Sequence, residues 1–77
     1  MKEPKYPYGK KVYIKKGFYR GYIGEIREFE SIKIKHQETL EEEEYILYRL
    51  KLENVGLKTL YEIREESIVP YKKYIIF

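Results

Sequence analysis

Along residues 45–53, which read Tyr-Ile-Leu-Tyr-Arg-Leu-Lys-Leu-Glu, the residues Ile46, Tyr48, Leu50 and Leu52 share one parity. A period of two sets them on one face of an extended strand, whereas a helix would spread them around its circumference. The same alternation of branched or aromatic residues with charges recurs at Val12 and Ile14, and again at Ile32 and Ile34. Helical spacing is poor throughout, so the chain is expected to be all-β, each strand with one face in a core and the other in water. Only one small core fits within 77 residues, because a chain of this size buries roughly 60–65% of the surface that its unfolded form exposes. There is no cysteine. Disulfides, thiolate zinc sites and a cysteine nucleophile are therefore excluded, and stability has to come from packing.

Residues 22–30 also read as a strand, but Ile23, Ile26 and Phe29 do not keep one parity, which predicts a bulge or sharp bend. The run ETLEEEE at residues 38–44 is expected to form an acidic hairpin tip, since adjacent carboxylates repel and no apolar face would dock it as a helix. Turn chemistry follows at residues 54–57, with Gly56 free to take a positive φ, and residues 59–64 return as a strand with Tyr61 and Ile63 inward. Glu65, Glu66 and Ser67 suit one helical turn. Ile68 and Val69 then open a last short strand that Pro70 limits, because proline cannot donate to a ladder. Five or six short antiparallel strands, with one helical turn before the last, imply a small bent barrel or a sandwich, with the barrel preferred at this size. It is expected to be a single domain over residues 1–77, with a barrel core at about 9–71, an acidic arm at 38–44 and a tail at 72–77.

Residues 9–26 carry the pattern G-x-x-V-x-I-x-x-G-x-[FY]-[RK]-G-x-x-G-x-[IV]. It resembles the KOW motif found in the NusG family of transcription elongation factors and in several ribosomal proteins. The later YEIREESIVPY is similar to the end of Tudor-like and SH3-like barrels, where a helical turn precedes the closing strand. The resemblance implies an SH3-like barrel that binds nucleic acid, RNA or DNA, or a protein of the transcription, translation or defence machinery.

A net charge of +3 conceals an uneven distribution. Residues 1–37 hold ten Lys or Arg against four Glu, and residues 38–77 hold six against nine. A basic half points to phosphate-bearing partners. Lys15, Lys16, Tyr19, Arg20 and Tyr22 surround the glycine-punctuated reversal, with Lys10 and Lys11 extending the patch; cations there would neutralise phosphates and rings would stack on exposed bases. Phe18 suits either a cap on the core or a ligand contact. The alternative is a protein-interaction module, such as a phage or mobile-element accessory protein or inhibitor that grips a host protein, recognising it through Glu41, Glu42, Glu43, Glu44 and Tyr45.

Ten tyrosines are present. Tyr13, Tyr48 and Tyr61 fall on strands, where a half-buried ring with its hydroxyl in water accounts for them. Tyr6, Tyr8, Tyr45, Tyr71 and Tyr74 suit contact sites, and the terminal YKKYIIF is expected to pair as an edge strand or to join two copies as a homodimer. No catalytic constellation assembles from a single histidine, His36, without cysteine or aspartate, so no enzyme activity, cofactor or metal is expected. The longest apolar run is Ile75 to Phe77, too short for a membrane span or signal peptide, and a cytoplasmic protein without membrane partners is expected.

Overall fold

The computed structural model describes residues 3–56 and 58–72. Its five strands are β1 (Lys11–Ile14), β2 (Ile23–Lys35), β3 (Glu42–Leu52), β4 (Tyr61–Arg64) and β5 (Ile68–Pro70), with a 3-10 turn at Glu65–Ser67 between the last two. All pair antiparallel in one sheet of order β4-β3-β2-β1-β5. The tail expected to pair or dimerise lies outside the described residues from position 73 onward.

The period of two in β3 builds the core as expected. Ile46, Tyr48, Leu50 and Leu52 are all buried, and they pack with Val12, Ile14, Ile26, Ile63 and Ile68. Ile63 belongs to β4 and Ile68 to β5, the two edges of the sheet, so the sheet curls until its edges share one cluster. The expected barrel is nevertheless not closed, since no ladder joins β4 to β5. Closure runs instead through the three-residue 3-10 turn and through side chains. β5 has three residues, is paired along β1, and ends at a proline that has no N–H to offer.

The two runs expected at residues 22–30 and 31–35 form one strand of 13 residues. The bulge expected within it falls between Ile26 and Glu28. Gly24 and Ile26 point inward before it and Phe29 after it, so the extra residue, Arg27, reverses the parity of the strand. Gly24 sits opposite Leu52 in the β2–β3 ladder. A Cβ there would stand 3.1 Å from both Leu50 Cβ and Leu52 Cδ2, inside ordinary contact distance.

Two local expectations are corrected. The turn after β2 occupies residues 36–41, closed by His36 N–H to the Glu41 carbonyl and Leu40 N–H to the His36 carbonyl, both at 2.8 Å. Glu42, Glu43 and Glu44 are strand residues, not a hairpin tip. Consecutive acids on a strand alternate between faces, and the register sets Lys35 opposite Glu42 and Lys33 opposite Glu44, so cross-strand attraction offsets the repulsion along the chain. In the turn after β3 the positive φ, 63°, belongs to Asn54, whose short polar side chain tolerates the left-handed region, and not to Gly56.

The reading of Tyr48 is also corrected: its hydroxyl is not in water. Tyr48 is fully buried, its hydroxyl donates to Glu65 Oε2 at 2.6 Å, and it accepts the N–H groups of Lys5 and Tyr6 at 2.9 and 3.0 Å. Lys5 N–H also reaches Glu65 Oε2 at 2.9 Å. One buried oxygen thus fixes the N-terminal segment over the core with its full complement of hydrogen bonds. Burial, reinforced by the Glu65 carboxylate, pushes its pKa up to about 12. The partners lie 17 and more than 40 residues away in sequence, which is why alternation alone suggested a wetter ring.

Candidate nucleic-acid interface

Residues 15–22 join β1 to β2 and form a succession of tight turns. Gly21 N–H donates to the Ile14 carbonyl and Ile14 N–H to the Tyr22 carbonyl, both at 2.9 Å, which closes the reversal. Within it, Arg20 N–H reaches the Gly17 carbonyl at 3.2 Å and Tyr22 N–H reaches the Tyr19 carbonyl at 3.1 Å. Gly17 and Gly21 both adopt φ of 98°, a conformation that side chains disfavour, so the glycine spacing read from the sequence serves the loop's backbone. Lys15 N–H donates to the Ser67 carbonyl at 2.8 Å and moors the loop to the 3-10 turn.

The aromatic residues of the loop divide by depth. Tyr19 is half-buried against the core, its ring 4.8 Å from Tyr61 and tilted 67° to it. Phe18 and Tyr19 form a T-shaped pair at 5.0 Å and 79°, and Tyr22 lies 6.4 Å from Tyr19 at 68°. Phe18 is 93% exposed and Tyr22 44% exposed. Phe18 does not cap the core; Tyr19 does so beneath it, leaving the phenyl ring in solvent.

Lys15, Lys16 and Arg20 are exposed and make no ion pair with any described residue. The other arginines are all engaged. Arg27 holds Glu25 at 3.1 Å, Arg49 spans Glu30 and Glu62 at 2.9 and 3.1 Å, and Arg64 meets Glu43 and Glu66 at 3.6 and 3.8 Å. Lys11 is paired too, 2.8 Å from Glu53, whose hydrogen bond and charge raise the lysine's pKa above its ordinary value. The structure therefore groups Lys15, Lys16, Tyr19, Arg20 and Tyr22 in one loop. Lys10 and Lys11 stand at the opposite end of β1, and Lys10 is exposed there, its carbonyl accepting Ile26 N–H at 3.0 Å.

The acidic residues sit elsewhere and are largely engaged. Glu43 meets Arg64 and lies 3.5 Å from His36 Nε2, while Arg64 also stacks over the Tyr45 ring at 3.9 Å. Glu44 Oε1 accepts from the Ser31 hydroxyl at 3.5 Å, and Glu42 faces Lys35 in register. Glu41 is exposed at the end of the turn. The turn and the basic loop lie at opposite ends of β2, 13 residues long, a separation of roughly 40 Å along the strand at about 3.3 Å per residue. Among the described residues no group of three or more His, Asp or Glu is placed to hold a metal ion, and no helix is long and apolar enough to cross a membrane.

Sequence reasoning left Phe18 between two roles and out of the candidate interface. The signal that places it is the neighbouring Tyr19, which covers the core on behalf of both rings. No protein-family model, curated protein or solved structure matches the chain, so its own residues carry the functional argument.

Proposed function

We propose that this chain is a nonenzymatic nucleic-acid-binding β-module of the KOW type, related to SH3-like folds, which engages its ligand through residues 15–22. The observation that carries the reading is the coincidence, in one preset loop, of three unpaired cations with two exposed rings. Lys11, Arg27, Arg49 and Arg64 are each held by a glutamate, whereas Lys15, Lys16 and Arg20 have no ion-pair partner among the described residues and are open to phosphates. The hydrogen-bonded path of the loop sets its backbone before binding, which lowers the ordering cost of association. The acids of the β2–β3 hairpin lie several Debye lengths away along β2 at physiological salt, too far to oppose that charge.

The test is the salt dependence of binding to a mixed-sequence oligonucleotide. Affinity is expected to fall steeply as salt rises, and Lys16→Ala or Arg20→Ala is expected to weaken binding and flatten the log–log slope by roughly 0.7–0.9 per lost phosphate contact. Glu41→Gln is expected to leave both unchanged. Absence of binding at low salt to either RNA or DNA overturns the reading. So does capture of a protein partner through the β2–β3 hairpin with residues 15–22 dispensable.

A further inference from the structure

The exposed phenyl ring adds a constraint that charge alone does not supply. Phosphate neutralisation by Lys15, Lys16 and Arg20 works on any nucleic acid, single- or double-stranded. A ring that is 93% exposed is open to solvent over nearly all its surface, and the described ring beside it, Tyr19, is tilted 79° to it, so the two do not cover one another in parallel. Phe18 has no polar atom with which to read a base edge or bind a phosphate. The contact that uses its open faces is stacking on a base, and in an intact duplex the base faces are already occupied by neighbouring pairs. Insertion as a wedge is the duplex alternative, but that unstacks a step and is offset only when the bent DNA wraps a large protein surface. An eight-residue reversal at one end of a small sheet offers little such surface.

Building on the nucleic-acid reading above, we infer that the ligand of residues 15–22 is single-stranded, with an unpaired base stacked on Phe18 while Lys15, Lys16 and Arg20 hold the flanking phosphates. Phe18 is thereby a binding residue in its own right, and the second exposed ring, Tyr22, offers a platform for a neighbouring base. The loop is braced for this role: Tyr19 anchors on Tyr61, Lys15 N–H on Ser67, and Gly17 and Gly21 set the backbone so that Phe18 is held outward and does not fold onto the core. Stacking is tolerant of sequence, because every base has a π-face, so affinity is expected to depend on strandedness more than on sequence.

The experiment measures fluorescence anisotropy of a labelled single strand and of the duplex of the same sequence, at matched salt, with the wild-type chain and with Phe18→Ala, Phe18→Trp and Arg20→Ala. The single strand is expected to bind at least about tenfold more tightly than the duplex. Phe18→Ala should weaken the single strand roughly 5- to 150-fold, the range for losing one base–aromatic stack, without changing the salt slope. Phe18→Trp should restore binding, and Arg20→Ala should flatten the slope instead. Because Phe18 is exposed, these variants are expected to keep the wild-type circular dichroism spectrum. Equal affinity for both forms, or Phe18→Ala binding as the wild type does while Arg20→Ala weakens it, overturns this inference and leaves the cationic loop standing. No binding of either form at low salt overturns both.

Discussion

At one end of β2 the chain reverses through residues 15–22, resting on the core through Tyr19 and Tyr61 and moored to Ser67, with Lys15, Lys16 and Arg20 in no ion pair among the described residues. At the other end it reverses through residues 36–41, on a two-stranded ribbon whose Ile32 and Ile34 are only half-buried and whose acids face lysines or meet His36 and Arg64. The ends are similar in length and opposite in charge, yet they differ in what their charge is free to do. Cations at the first stand on a hydrogen-bonded loop and have no ion-pair partner among the described residues. Carboxylates at the second help hold the ribbon together. A count of charged residues therefore misjudges binding capacity, and what matters is which charges remain unpaired once the strands have found their register.

The comparison breaks first on stability. Leu50→Ala, in the core beside Gly24, is expected to destabilise by about 2–5 kcal/mol, whereas Ile34→Ala on the ribbon should cost under about 1 kcal/mol, both read from urea denaturation midpoints. Equal losses would make the ribbon part of the core and remove the distinction. Next in size, Tyr48→Phe leaves two N–H groups and Glu65 without their common partner, for an expected loss of about 1–3 kcal/mol. The same hydroxyl sets a pH limit. Its pKa is about 12 in the fold against an ordinary value of 10, so the folded state holds the proton more tightly than the unfolded one. The stability this contributes is complete below about pH 10 and is lost as pH rises toward 12, a fall that Tyr48→Phe should lessen in thermal melts.

Much of the sheet is written in alternation. Ile46, Tyr48, Leu50 and Leu52 specify β3, the broken parity of Ile23, Ile26 and Phe29 specifies the bulge, and Glu65 to Ser67 with Pro70 specify how the chain ends its last strand. Less legible was anything set by a partner distant in sequence. Glu42 and Glu44 read as part of a tip because the lysines opposite them lie seven and eleven positions back, and Tyr48 read as wet because Glu65 and the N-terminal segment close over it only in the fold. At the candidate site, the glycine spacing announced the reversal, but the exposure of Phe18 followed from Tyr19 taking the inner place.

A smaller effect sharpens the account of the ribbon. Glu44→Lys sets like charges opposite one another at Lys33 and is expected to destabilise by about 0.2–1 kcal/mol, and adding Lys33→Glu should recover most of that loss. Neither change should alter nucleic-acid affinity by more than about twofold, since both lie far from residues 15–22. An affinity that follows these substitutions would tie the two ends together.

The most direct measurement is amide chemical-shift mapping during titration of the labelled protein with a short single-stranded oligonucleotide at low salt. The expected result is that the largest changes fall on residues 15–22, with Phe18 and Arg20 among them, while residues 36–44 stay in place. Shifts centred on residues 36–44, or no shifts at saturating oligonucleotide, would contradict the assignment of binding to the cationic loop.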